Sequence, residues 1–292
     1  MKERKMNEKK PKNPFVIQRR RTAIIRTAVQ VAFFLFAPSV FSSAFAGIKE
    51  VLTAFGSGAV LVWSGFIAML VLTLGFTIVF GRFFCGYACA FGALGDWVYA
   101  LSGFLQKKLN RKLPRIPVNI QRYLQYAKYG ILLLILVLCV LGKQEIVNAS
   151  SPWTVFSLLR SGRGIPAGYA VAVALLFIIL VGMVFQERFF CQFLCPMGAV
   201  FSLMPVLPFV GQMKRGENCI SNCAACKRMC PVSLKLEDNS LRSGECITCG
   251  RCVNTCPRKN ISCMNGMLTG AEWWFVVARS AALLVGVLLL AS

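Results

Sequence analysis

Eight cysteines between Cys219 and Cys256 form two runs of four, and each run ends in Cys-Pro. The second run, at 246–256, has the spacing of bacterial runs that bind cubane iron–sulfur clusters, whereas the first has one extra residue between its first two thiols. In such runs the first three thiolates bind one 4Fe-4S cluster, and the fourth reaches across to the other cluster. The spacing therefore predicts two ligand sets, which are Cys219, Cys223, Cys226 and Cys256 for one cluster and Cys246, Cys249, Cys252 and Cys230 for the other.

Two other uses of paired cysteines fit this segment less well. A zinc ribbon also has Cys-x2-Cys pairs, but it needs four ligands and rarely ends in Cys-Pro. A disulfide-stabilised fold needs an oxidising compartment, whereas the charge pattern described below places the segment in the cytosol. Because such clusters store and transfer single electrons, the segment predicts electron transfer without identifying a substrate.

Four further cysteines lie in two Cys-x3-Cys motifs, and each motif begins Arg-Phe-Phe-Cys. The motifs start at Arg82 and Arg188 and contribute the thiols Cys85, Cys89, Cys191 and Cys195. Three interpretations stay open for these thiols. They bind a further iron or iron–sulfur centre, they form two redox-active dithiols, or they are small apolar residues that pack at helix ends.

The two motifs belong to a longer internal repeat. A shift of about a hundred residues superimposes Arg82 on Arg188, Cys89 on Cys195 and Gly92 on Gly198 without a gap. Each copy contains two apolar segments, so both copies have the same orientation. This arrangement predicts a pseudo-twofold axis along the membrane normal, on which the four thiols converge.

The composition indicates a membrane protein. Of the 292 residues 57% are hydrophobic, the mean hydropathy is +0.63 and the formal net charge is +22. A basic chain this apolar is more typical of a membrane protein with positive cytoplasmic loops than of a nucleic-acid-binding protein. The chain has no histidine, which excludes bis-histidine haem, Rieske centres and histidine-ligated zinc, and no haem is expected.

Five apolar segments are candidate membrane spans, at 27–46, 59–80, 123–141, 167–185 and 273–291. Pro38 is expected to kink the first, and Ala44-Phe45-Ala46 also resembles a signal-peptidase site. Lys128 is expected to snorkel from the third segment to the membrane surface. Arg279 interrupts the last segment, for which an amphipathic surface helix is the alternative.

These features predict an α-helical integral membrane protein with two tandem two-helix repeats, a small α+β ferredoxin-like domain with two clusters, and a fifth, C-terminal membrane helix. The predicted divisions are a basic cytoplasmic tail (1–21), repeat 1 (22–105), a basic cytoplasmic linker (106–122), repeat 2 (123–210), the two-cluster domain (211–270) and the C-terminal helix (271–292). Lysine and arginine are concentrated in the tail, the linker and the two-cluster domain (the cluster segment, 211–270). The protein is therefore expected in the cytoplasmic membrane, with the clusters and both Cys-x3-Cys motifs on the cytoplasmic side.

Oxidation of a quinol would also require a proton acceptor. With no histidine present, Asp96, Glu187 and Tyr87 are the candidates at a suitable depth for a proton or quinone site. The alternative is that these carboxylates cap helices or pair with Arg82 or Arg188.

The paired spans, the two Cys-x3-Cys motifs and the eight-cysteine run resemble the NapH/NosR/CcoG-type membrane ferredoxins. The resemblance covers about 27–257, and the motif Phe-Cys-x3-Cys-Pro-x-Gly-Ala at 190–199 is its most specific part. In size and order the chain is most similar to the NapH branch. It differs in having Ala90 where the family usually has proline, in the fifth apolar segment, and in lacking the flavin-binding domain of the NosR branch and the C-terminal domain of the CcoG branch.

The resemblance implies a membrane subunit that transfers electrons between a cytosolic carrier or the quinone pool and a membrane or extracytoplasmic redox partner. Membrane lipid and other redox subunits, such as a ferredoxin-like protein, a flavin-binding protein or a terminal reductase, are the expected partners, and nucleic acid is not. The alternative function is a redox assembly or maturation factor that reduces a metal or a thiol of another membrane enzyme. A transporter with redox regulation is disfavoured because the spans lack the charged residues that usually mark a transport path.

Overall fold

The computed structural model describes residues 14–111, 113–114, 116–207, 212–214, 219–220, 222–234, 244–263 and 269–291. The first thirteen residues of the predicted basic tail, and parts of the predicted two-cluster domain, therefore lie outside the described residues. Within the described part, most residues are helical and only two short strands pair.

The first half of the chain is built from four helices. They are α1 (Pro14–Phe36), α2 (Val40–Ser57), α3 (Gly65–Phe80) and α4 (Ala90–Lys108), with a π-helical turn at Phe84–Ala88 between the last two. The predicted kink at Pro38 is present, because α1 is bent by 62° relative to α2 at a break that contains Pro38, although the two helices extend beyond the predicted bounds of 27–46 at both ends. Proline cannot donate the next helical hydrogen bond, and its ring clashes with the preceding turn.

The second half has shorter helices before its long apolar one. It contains α5 (Val118–Leu124), α6 (Ala127–Val140), α7 (Gln144–Ala149), α8 (Pro152–Arg160), α9 (Ala170–Phe185), α10 (Phe189–Phe193) and α11 (Pro196–Leu203), with a 3-10 turn at Ala167–Tyr169. The helix α11 packs against α6, and α4 of the first half packs against α9. The two halves are therefore in direct contact.

Two of the described helices, at 167–185 and 273–290, are long and apolar enough to cross a membrane, and the bent pair α1–α2 makes a third if it counts as one span. The predicted segments at 59–80 and 123–141 form shorter apolar helices of 16 and 14 residues. Each is shorter than the roughly 20 residues that a straight span needs. Both helices are followed by a glycine with a positive φ angle. These are Gly81 (φ +67°) after α3 and Gly142 (φ +73°) after α6.

The described residues of the segment with the eight cysteines contain little regular structure. They form strands β1 (Gln212–Lys214) and β2 (Ile261–Cys263), helix α12 (Ala225–Met229) and a 3-10 turn at Val253–Thr255. The strands are antiparallel, with Met213 opposite Ser262. This pair joins the start of the segment to its end.

The last helix, α13 (Trp273–Ala291), packs against α1 and α3. Its Arg279 is 2% exposed and donates to the carbonyl of Gly270 at 2.6 Å. The guanidinium also lies over the rings of Phe275 (4.3 Å) and Phe83 (4.4 Å). These cation–π contacts and the hydrogen bond explain how an arginine is accommodated in an apolar helix.

Candidate functional site

The four cysteines of the Cys-x3-Cys motifs lie at the ends of equivalent apolar helices, and all four are buried. After α3, the chain turns at Gly81 and enters the π-helical turn that carries Cys85, and Cys89 then precedes α4. After α9, Arg188 adopts φ +59°, α10 carries Cys191, and Cys195 precedes α11. The two motifs thus present their thiols from matching positions.

The alanine at position 90 does not change this geometry. Ala90 is the first residue of α4 and Pro196 is the first residue of α11, and the preceding cysteines have similar backbone angles. Proline is common at the first helical position because its missing N–H has no helical partner there, and alanine also fits well. The departure from the family pattern therefore leaves the local fold intact.

The surroundings of the four thiols fit a metal-bound thiolate group. Each thiol lies close enough to the others for their charges to interact, with Arg82 beside Cys85 and Arg188 beside Cys191. Among the described residues, however, no three cysteine, aspartate or glutamate side chains converge closely enough to hold a single metal ion. A cubane binds each thiolate through a separate iron, so its thiolates lie farther apart than the ligands of a single ion.

Each motif arginine reaches across to the other motif. Nη1 of Arg188 donates to the carbonyl of Cys85 and lies against Gly92. Reciprocally, Nη2 of Arg82 lies 3.0 Å from the position that a Cβ atom would take at Gly198. Because 82 and 188 are 106 residues apart, as are 92 and 198, the two contacts are equivalent in the sequence repeat.

A buried carboxylate neutralises Arg188. Asp96 accepts from Nε of Arg188 at 2.7 Å and from its Nη2 at 2.6 Å, and Arg26 and Gln30 donate to the same carboxylate at 2.7 and 2.6 Å. Burial by itself raises the pKa of Asp96, but the two guanidinium groups outweigh burial and lower the pKa to about 2. Asp96 is therefore a permanent anion at neutral pH.

A second carboxylate neutralises Arg82, and it comes from the cluster segment. Glu245 accepts from Nη1 of Arg82 at 3.1 Å, from the fully buried Lys128 and from the hydroxyl of Tyr129 at 3.0 Å. The expectation that Lys128 snorkels to the surface is wrong, because this carboxylate holds its ammonium group inside the protein. Although burial raises the pKa of Glu245, Arg82 and Lys128 lower it overall.

The cluster segment lies directly on the two motifs. Gly86, next to Cys85, touches the Ile247 carbonyl so closely that a side chain at position 86 would collide with it. The hydroxyl of Tyr87 donates to the Cys249 carbonyl at 3.2 Å. From the other motif, Gln192 donates to the carbonyl of Pro231. The loops around Cys230 and Cys249 are therefore held by both motifs.

The predicted second ligand set comes together in the structure. Cys230 lies close enough to Cys246, Cys249 and Cys252 for their charges to interact. Burial and these neighbouring thiols raise the pKa of Cys246 to about 12 and that of Cys230 to about 11. Protonated thiols are thus favoured unless a metal stabilises the thiolates.

The first predicted ligand set is more open. Cys219 and Cys223 are exposed, while Cys226 is buried. Asn260 links the two ends of the set, because its backbone N–H donates to Sγ of Cys256 at 3.3 Å and its amide lies 3.7 Å from Sγ of Cys219. The pairing of the first run with the last cysteine is thereby consistent with the geometry.

The three residues predicted for a proton or quinone site all have protein partners. Asp96 is saturated by cations, Glu187 pairs with Arg251, and Tyr87, whose pKa burial raises to about 12, donates to Cys249. Asp96 nevertheless lines a cavity of about 390 Å³, together with Arg26, Arg251 and Cys249. Glu187 lines another cavity, of about 440 Å³, with Cys230.

Sequence reasoning missed four residues of this site: Arg26, Gln30, Lys128 and Glu245. The available signal was a charged residue within an apolar segment for Lys128, and one directly before an apolar segment for Arg26, because such residues are rarely placed there without a partner. Glu245 is adjacent to a predicted cluster ligand, but nothing in its local sequence indicates a partner on α6.

Comparison with known proteins agrees with the iron–sulfur assignment. The sequence profile of a family described as "4Fe-4S binding domain" matches residues 61–112 and 167–208. These two segments contain the four motif cysteines and none of the eight cysteines of the later run. No solved structure matches the chain.

Relatives share most of the chain. An uncharacterized protein of Methanocaldococcus jannaschii is 30% identical over 241 residues, covering 82% of this chain and 94% of that protein. The ferredoxin-type protein NapH of Haemophilus influenzae is 29% identical and covers 66% of each chain. The regulatory protein NosR of Pseudomonas aeruginosa is 29% identical over 61% of this chain, which spans only 24% of NosR.

Proposed function

The chain belongs to the NapH/NosR-type family of ferredoxin-like membrane proteins, and on this premise we propose that it is a membrane subunit that transfers electrons between a cytosolic carrier or the quinone pool and a membrane or extracytoplasmic redox partner. The observation that carries the proposal is the contact between Gly86 and Ile247. It brings the loop of the predicted ligands Cys246 and Cys249 against the residue that follows Cys85. Two groups of predicted cysteine ligands thus adjoin without an intervening layer of protein.

The eight-cysteine run would hold two 4Fe-4S clusters, with the ligand sets predicted from the spacing. When bound, such clusters supply one-electron oxidation and reduction. The exposed thiols Cys219 and Cys223 belong to the first set, and the set with Cys249 touches the motifs. Electrons would therefore enter or leave at the first set on the aqueous side, and the second set would connect it to the membrane.

The four motif cysteines would hold a third centre at the membrane edge. The donor set fits, because four buried thiols are flanked by Arg82 and Arg188, whose charge offsets that of bound thiolates. Phe84 and Phe190 are buried beside them and keep water away. The match of residues 61–112 and 167–208 to a 4Fe-4S profile supports an iron–sulfur centre over a dithiol.

The reciprocal contacts of Arg82 and Arg188 support a pseudo-twofold arrangement of two tandem repeats, with the boundaries predicted from the sequence. Lysine and arginine dominate the regions around the cysteines, which supports a cytoplasmic location for them. The cavity lined by Asp96, Arg26 and Cys249 is a candidate position for a quinone head group. There, Asp96 would orient the arginines as hydrogen-bond donors and would not accept a proton, because it is already paired with cations.

The test is to purify the protein without oxygen and to measure iron and acid-labile sulfide per chain. The intact protein is expected to contain both, with two low-potential EPR signals from the eight-cysteine run. Cys252→Ala should remove one signal and leave the other, whereas Cys139→Ala, a buried change outside every motif, should remove neither. A protein that contains zinc but no labile sulfide would refute the electron-transfer function.

A further inference from the structure

The two buried carboxylates occupy equivalent places around the motif arginines. Asp96 accepts from the motif arginine Arg188 and from Arg26 of the first helix of its half. Glu245 accepts from the motif arginine Arg82 and from Lys128 on α6, the first apolar helix of the other half. Each carboxylate thus compensates one motif arginine and one helix cation.

The carboxylates differ in origin. The residue equivalent to Asp96 in the second half is Ser202, which is 106 positions later and has no charge. Its hydroxyl lies 2.8 Å from the hydroxyl of Tyr129, which also donates to Glu245. The second half therefore lacks a carboxylate at this position, and Glu245 of the cluster segment takes its place.

The backbone next to Glu245 is fitted to the same surface. The carbonyl of Gly244 accepts from Nη1 of Arg82 at 3.2 Å. A Cβ atom at Gly244 would collide with the carbonyl of Ser202, which belongs to α11. Because the predicted ligand Cys246 directly follows Glu245, this attachment fixes the position of the second ligand set over the motifs.

We propose that Glu245 is the docking residue of the cluster segment. It supplies a carboxylate at the position where the second half has none, and its contacts with Arg82 and Lys128 hold the segment on the two membrane repeats. This inference rests on the proposed function only in treating Cys246 as a cluster ligand. Without Glu245, Arg82 and Lys128 would be two buried cations with no carboxylate between them, which is a strongly unfavourable state. The segment would then be attached by the contacts of Gly86, Tyr87 and Gln192, by the ion pair of Arg251 with Glu187 and by the hydrogen bond from Asn254 to Thr22.

The proposal is tested by hydrogen–deuterium exchange of the backbone at 245–250 and by thermal unfolding of the full chain in detergent. Glu245→Gln should increase the exchange by roughly 100-fold, as expected for loss of one partner of a buried ion pair, and should lower the melting temperature. Its iron content should stay that of the unmodified protein. The matched control is Glu272→Gln. Glu272 accepts hydrogen bonds from the nearby Thr269 and, among the described residues, forms no ion pair.

A second pair of variants separates docking from charge compensation. Adding Ser202→Asp to Glu245→Gln returns a carboxylate to Arg82 and Lys128 from α11, so the melting temperature should recover while exchange at 245–250 stays fast. Gly244→Ala keeps the carboxylate of Glu245, but it should also increase exchange at 245–250, because the added methyl group collides with α11. The proposal is wrong if the backbone at 245–250 exchanges equally fast in Glu245→Gln and Glu272→Gln. It is also wrong if the Ser202→Asp/Glu245→Gln double variant recovers slow exchange, or if Glu245→Gln loses the iron of the eight-cysteine run. Absence of iron from the unmodified protein would instead refute the proposed function, and the exchange result would still stand.

Discussion

The guanidinium group of Arg188 and the carboxylate of Asp96 form a buried two-point ion pair, with N–O distances of 2.6 and 2.7 Å. Arg188 precedes the second Cys-x3-Cys motif, and Asp96 follows the first. The same guanidinium donates to the carbonyls of Cys85 and Gly86. One side chain therefore ties the backbone of one motif to the sequence of the other.

Asp96→Asn is expected to destabilise the protein by roughly 3 kcal/mol or more, because it leaves Arg188 and Arg26 buried without a compensating charge. The pKa of Asp96 is about 2 in the folded protein, below its ordinary value of 3.8. Its stabilising contribution is therefore fully present above the ordinary pKa and is lost as the pH falls towards the folded pKa.

Thermal unfolding of both proteins between pH 6 and 2 checks this prediction. The difference in stability between the unmodified protein and Asp96→Asn should be constant above about pH 5 and should shrink below about pH 4. Glu145→Gln is the control, because Glu145 is exposed on a different helix and its loss should change stability by less than about 0.5 kcal/mol. A difference that does not depend on pH would contradict the ion-pair explanation.

The contact between Gly86 and Ile247 predicts that alanine substitutions at two glycines, Gly86 and Gly103, change the stability of the protein differently. Gly86→Ala places a methyl group against a backbone carbonyl and should destabilise the folded protein by about 1–3 kcal/mol. Gly103→Ala, in α4, meets no atom within 4 Å and should be neutral or stabilising by up to about 1 kcal/mol, because alanine favours the helix. Chemical unfolding in detergent measures both, and equal effects would show that the segment does not rest on position 86.

The sequence predicts the cysteine sets and the repeat because ligand spacing and a constant offset are local properties of the chain. It placed the apolar segments and the kink at Pro38 but not the ends of the helices, since Gly81 and Gly142 act through backbone geometry that hydropathy does not report. It also could not pair charges across long distances. Lys128 and Glu245 are 117 positions apart, and only the docked cluster segment brings them together.

Orientation in the membrane is predicted from the distribution of lysine and arginine. A thiol reagent that cannot cross the membrane should label Ser57→Cys from the extracytoplasmic side and should not label Asn110→Cys in sealed cells. Both positions are exposed, so accessibility within the protein does not explain a difference between them. After permeabilisation both should be labelled, and the reverse pattern in sealed cells would overturn the cytoplasmic location of the clusters.

The four motif thiols provide the most direct test of a third centre. Cys85 and Cys191 are equivalent in the repeat, are both buried, and lie close enough for their charges to interact. Replacing both with serine keeps their size but removes two of the four thiolates, so a bound centre should be lost. Iron per chain should fall below that of the unmodified protein, while both EPR signals of the eight-cysteine run should still appear on reduction.

Electron transfer beyond that run should also stop in the double variant, and this is measured as reoxidation of the reduced clusters by a membrane-side acceptor. Cys139→Ala is the matched control, because Cys139 is equally buried but lies at the C-terminal end of α6, outside both motifs. It should keep the full iron content and the full rate of reoxidation. If the Cys85→Ser/Cys191→Ser protein behaves like this control, the four cysteines are packing residues and the chain binds no centre at the membrane edge.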